Sequence, residues 1–66
     1  INLREEFIKL GQVLKAAGWV DDGVEAKLVI QDGKVTVNQE TETRRGRKLY
    51  DGDVVSFDGH EIKIIK

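Results

Sequence analysis

Between Glu42 and Tyr50 the chain reads ETRRGRKLY, so Arg44, Arg45, Arg47 and Lys48 place four cations in five consecutive positions. The formal net charge of the 66-residue chain is only −1, so the crowding is local. Three of the four are arginines, whose planar forks match pairs of phosphate oxygens. Gly46 lets the backbone turn among them, which can bring several side chains and an N–H toward one anion. The competing reading is a solvated loop. Each like-charge pair at contact costs about 1 kcal/mol in water, and less with salt, and Glu40 and Glu42 can neutralise part of the cluster. Lys9, Lys15 and Lys27 lie on or beside the two predicted helices. If the loop folds back beside those helices, a basic face forms, which a near-zero net charge does not forbid.

No other residues form a constellation for chemistry. His60, the only histidine, follows a predicted turn and reads as a solvated strand-start residue, not a base or metal ligand. Ser56 alternates with Val55 and Phe57, the outward position of a strand, without histidine and aspartate partners. No glycine pattern matches a phosphate loop, and the Asp-Gly pairs beginning at Asp32, Asp51 and Asp58 read as turns. The expectation is a protein that is not an enzyme, with no cofactor, no metal and no small-molecule substrate. Trp19 can stack on a base or close the corner between the helices, and core packing is favoured for it, with core or strand packing for Tyr50 and Phe57. With no cysteine, disulfides and thiolate zinc sites are excluded, and a cytoplasmic setting is expected. No stretch approaches the ~20 apolar residues of a membrane span. The start, INLREEF, is too polar for a signal peptide, and its lack of methionine reads as trimming.

The elements that must position these cations change period near the middle of the chain. Leu10, Val13, Leu14 and Ala17 recur at helical spacing, with Phe7 extending the stripe backward. Gly18 is placed to stop that helix. EFIKL fits either a helical turn or a short extended strand leading into a helix near Gly11. A second helix opens at Asp22, with Glu25 completing an acidic capping box. Ala26, Val29, Ile30 and Leu28 supply its apolar face, and Gly33 ends it. The intervening GWVD makes a helix-turn-helix-like corner. From Lys34 the period becomes two: KVTVN, KLY, DVVSF and HEIKII read as strands. The last two are joined at Asp58-Gly59, the dipeptide of a type I′ hairpin turn. The predicted fold is α+β, two helices packed on a small, mostly antiparallel sheet in a single domain over 1–66.

The order KLGQVLKAAG, EAKLVIQDGKVTVN, a variable stretch and GDVVSF resembles the S-four RNA-binding domain from Lys9 to Phe57. The match rests on Leu10, Leu14, Gly18, Ala26, Val29-Ile30, Gly33, Val35, Val37-Asn38 and Gly52-Asp53. RRGRKLYDGDVV is most similar to the small stand-alone bacterial members, the YaaA and YbcJ type. The chain departs from the larger family, which usually has Arg at Lys9, Asp at Gly11, Ser-Arg at Asp22-Gly23 and Gly at Gln39. The basic loop is expected to compensate for the charge lost at the second helix. The resemblance implies an alpha-L RNA-binding motif without intrinsic catalysis. It implies binding to structured RNA, ribosomal or transfer, in a ribosomal particle or during ribosome assembly. Lys9, Lys15, Lys27, Arg44, Arg45, Arg47 and Lys48 are the expected phosphate contacts, and Asn38 a turn or backbone-bonding residue. A monomer is expected, without membrane contact. The alternative is a protein-interaction or ubiquitin-like carrier module with a solvated basic loop. The end EIKIIK lacks the Gly-Gly that a carrier's thioester chemistry requires. A further alternative is a structural protein whose basic loop pairs with acids of its own surface or a partner.

Overall fold

Both helices begin and end where local chemistry provides for the unpaired backbone groups of a helix terminus. The computed structural model describes all residues, Ile1–Lys66. Helix α1 spans Leu10–Ala16 and α2 spans Gly23–Gln31. Asp22 caps α2 by accepting from the Glu25 N–H at 2.8 Å. The Glu25 carboxylate reaches back to the Asp21 N–H at 3.4 Å, one residue beyond the usual capping-box partner. Both helices close on a left-handed glycine, Gly18 at φ +76° and Gly33 at φ +75°. In α1 the N–H groups of Gly18 and Trp19 donate to the carbonyls of Lys15 and Leu14. In α2 those of Gly33 and Lys34 donate to Ile30 and Val29, the same pair of bonds.

Leu10, Val13 and Leu14 of α1 and Ala26 and Ile30 of α2 are buried. Leu28, predicted on the apolar face, instead points to solvent at 55% exposure, and Val24, one turn earlier, does the same. The corner between the helices buries Val20 and half-buries Trp19. The Trp19 ring tilts against Phe57 and stacks on His60, both at 6.1 Å between centroids. Trp19 thus closes the corner, and His60, although exposed, gains an aromatic neighbour.

The strands form two antiparallel sheets where one was predicted. In the larger, β3 (Glu40–Thr41), β2 (Val35–Val37), β5 (Val54–Phe57) and β6 (His60–Lys63) lie side by side in that order. The smaller pairs β1 (Ile8–Lys9) with β4 (Lys48–Leu49). EFIKL therefore enters α1 through an extended strand. Phe7 does not belong to the helical stripe, and tilts against Tyr50 instead, with ring centroids 6.1 Å apart. Strand β3 and its hairpin with β2 were not predicted. The β5–β6 hairpin turns at Asp58-Gly59, both at positive φ, with Phe57 opposite His60. Val35, Val37 and Val55 alternate onto one face of the sheet and meet the helices, Leu49 and Ile64 in one buried apolar cluster. No helix is long and apolar enough to cross a membrane.

Candidate nucleic-acid interface

At the start of α1 the N–H groups of Lys9, Leu10 and Gly11 have no backbone partner within the helix, and the basic loop supplies most of the answer. The Lys9 N–H donates to Gln12 Oε1 at 3.2 Å. The N–H groups of Leu10 and Gly11 donate to the loop carbonyls of Arg47 and Arg45, at 2.9 and 3.0 Å. The loop is thus the cap of the helix, which is why it folds back against it. The β1–β4 pairing fixes the same approach from the other side by setting Lys9 opposite Lys48. Facing like charges destabilise a strand pair. Lys48 Nζ lies 4.8 Å from the centre of the Phe7 ring, a cation–π contact that offsets the repulsion.

Within the loop, Arg44 to Arg47 form a turn closed by the Arg47 N–H donating to the Arg44 carbonyl at 3.3 Å. Glu42 organises it. Its backbone N–H bonds the Val35 carbonyl at the edge of β2, and its side chain is only 7% exposed. The N–H groups of Thr43 and Arg44 and Arg44 Nε all donate to Glu42 Oε2, at 3.0 to 3.1 Å. Arg44 Nη2 and Arg47 Nη1 donate to Oε1, both at 3.1 Å. The bidentate Arg44 fork, acting first, and then its backbone N–H and Arg47 hold the Glu42 carboxyl down at about 2, against a smaller upward push from burial. The same contact raises the Arg44 guanidinium. A buried carboxylate is tolerable when charged donors saturate it in this way.

The seven expected cations fall into three groups. Lys9, Lys15 and Arg45 line one shallow depression of about 310 Å³ together with Gln12 and the small residues Gly11, Gly23, Ala26 and Gly46. Arg44, Arg47 and Lys48 line a second, which shares Gly46 with the first. Lys27 is exposed on α2 and lines neither. The four cluster cations are therefore not equivalent. Arg44 and Arg47 engage Glu42, as a self-pairing loop would, although Arg44 keeps a side chain 76% exposed. Glu40, the other acid expected to neutralise the cluster, is exposed on β3 and makes no ion pair. Gln12 and the central place of Glu42 were missed in the sequence. Nothing local distinguishes Glu42 from Glu40, and it is the bond of the Glu42 N–H to Val35 and the donors around its carboxylate that set it apart.

No group of three histidine or acidic side chains is placed to hold a metal ion. Asn38 is a turn residue, as expected. Its Oδ1 accepts from the Val54 N–H at 3.0 Å and its Nδ2 donates to Asp53 at 3.1 Å.

A family model described as the S4 domain matches residues 1–65. The chain is 48% identical over 59 residues to the Bacillus subtilis (strain 168) protein named "Probable ribosome maturation protein RlbA", a match covering 89% of this chain and 83% of that one. It is 38% identical over 62 residues to YbcJ of Escherichia coli (strain K12), covering 94% of this chain and 89% of YbcJ. The solution structure of YbcJ from E. coli superposes with a TM-score of 0.76 at 34% identity, covering all of this chain and 85% of that one. That structure is described as revealing an alfaL motif involved in RNA-binding.

Proposed function

Because this chain belongs to the S4 domain family, we propose that it is a non-catalytic RNA-binding protein that recognises structured ribosomal RNA during ribosome assembly. The observation that carries the reading is the convergence of Lys9, Lys15 and Arg45 on one depression, although Arg45 is remote from the two lysines in sequence. A-form RNA hides its base edges in a deep, narrow groove, so a small rigid module reads shape and phosphate spacing. In this reading the depression takes a backbone phosphate, with the Arg45 fork and the two ammonium groups as donors. Arg44, Arg47 and Lys48 extend the contact along the neighbouring phosphates, and Lys27 adds a more distant charge on α2. The ribosomal assignment draws on the name of the B. subtilis relative, and the RNA assignment on the description of the YbcJ structure.

The test is a titration against a structured ribosomal RNA fragment at several salt concentrations, with a Lys9→Ala/Lys15→Ala/Arg45→Ala variant alongside. The parent is expected to show a log–log salt slope of about −0.7 to −0.9 per phosphate contact. The variant is expected to lose about 0.7 to 0.9 of that slope, the share of the one phosphate held in the depression, and at least roughly tenfold in affinity. Equal slopes and affinities for the two folded chains would remove the depression as the RNA site.

A further inference from the structure

Glu42 is a buried acid paired with two arginines of a loop that carries four cations, and electrostatics alone makes it a defect for an anionic ligand. Its geometry says otherwise. Arg44 and Arg47 are the first and last residues of one turn, and the single Glu42 carboxylate holds both of their side chains. The same carboxylate fixes the backbone N–H groups of Thr43 and Arg44 at the entry to the turn. Arg45, between the two held arginines, makes no hydrogen bond through its guanidinium and is exposed. Its carbonyl, meanwhile, is fixed on the first turn of α1 by the Gly11 N–H. The loop is thus fastened at both ends with one arginine left free at its tip.

We infer that Glu42 is a positioning residue for RNA binding: it preorganises the Arg44–Arg47 turn so that Arg45 is presented beside Lys9 and Lys15 before any ligand arrives. This role rests on the RNA reading above. Ordering a loop in advance removes a conformational cost that binding must otherwise meet. The sign of the expected effect is therefore opposite to the sign of the charge change.

Two variants separate the causes. Glu42→Gln removes the negative charge and leaves one acceptor oxygen for five donors. Glu42→Asp keeps the charge and withdraws the carboxylate by one methylene. Each is compared with the parent by RNA titration and by amide exchange at Thr43 and Arg44, with Val35 and Val55 amides and Trp19 fluorescence as controls for the fold. Both folded variants are expected to bind about tenfold more weakly, with loop amides exposed and controls unchanged. The Glu42→Gln loss would occur although the protein has become more positive. Either change without the other, or neither, overturns the positioning role, and so does tighter binding by Glu42→Gln. Should one variant fail to fold, the other decides by the same criteria. A parent that does not bind the RNA sinks the RNA reading itself and this role with it, an outcome distinct from a parent that binds and variants that bind equally.

Discussion

The turn at Asp58-Gly59 and the turn at Arg44–Arg47 are held by opposite means. The first is written into the backbone. Two residues at φ +50° and +80° join β5 to β6, and no side chain is needed to hold them. The second has one backbone bond of 3.3 Å, and its shape comes from the Glu42 carboxylate and from two N–H groups of α1. The first is independent of charge and of distant residues. The second depends on the protonation of one acid and on a helix far away in sequence. A binding surface that must present particular cations needs the second kind, because side chains fix side chains more directly than backbone preference does.

Breaking the side-chain-held turn should have the largest effect on stability. Glu42→Ala is expected to lose about 2 kcal/mol, because a carboxylate that accepts from charged donors is deleted. That is a large share of the roughly 3–5 kcal/mol available to so small a domain. Urea unfolding followed by Trp19 fluorescence measures it. The same contact carries a pH dependence. The Glu42 carboxyl stands at about 2 in the folded chain, below the ~4.3 of an unfolded glutamate. Protonation therefore favours the unfolded state. The contribution is complete above pH ~4.3 and is lost as pH falls toward ~2. Over that interval the stability of the parent should fall more steeply than that of Glu42→Gln. Parallel acid limbs would mean that the carboxylate contributes little to folding.

Breaking the backbone-held turn should have a smaller effect, confined to stability. A Cβ at Gly59 would meet no atom within 4 Å, so the cost of Gly59→Ala lies in the dihedral alone. About 1–2 kcal/mol is expected for an L-residue forced into the left-handed region. RNA affinity per folded molecule should not change. A loss of affinity matching that of the Glu42 variants would show that the two ends of the molecule are coupled, and the contrast between the turns would fail.

The same contrast explains what the sequence reveals. Asp58-Gly59 is legible because two residues suffice to encode it. Helix α2 is legible for a similar reason, since Asp22, Glu25 and Gly33 announce its ends within a few residues. Strand β3 is not legible, because its turn runs through Asn38-Gln39 without a glycine. The smaller sheet is not legible either: β1 and β4 contribute two residues each and find each other across most of the chain. Leu28 adjoins Val29 in an apolar run, and periodicity alone does not choose which of them faces out. At the site the residue types were legible and the arrangement was not. Four cations are visible in a line of letters, but the division into two held by Glu42, one over Phe7 and one free at the tip requires the packing of β2, α1 and the loop.

The turn at Asn38-Gln39 stands between the two extremes and gives the smallest but most discriminating effect. Both residues have positive φ, +52° and +71°, as a two-residue turn between Val37 and Glu40 requires. Asn38 tolerates this conformation, and its amide side chain pins Val54 and Asp53. Gln39 has no such compensation: it is exposed and its side chain makes no hydrogen bond within the chain. Glycine at this position relieves the left-handed strain, at the cost of a more flexible unfolded chain, so Gln39→Gly is expected to gain about 0.5–1 kcal/mol. The urea midpoint should rise with no change in RNA affinity or Trp19 fluorescence. A gain would place this turn with Asp58-Gly59, governed by the backbone of its own two residues. No gain would place it with the basic loop, its geometry set by the Asn38 bonds across the sheet.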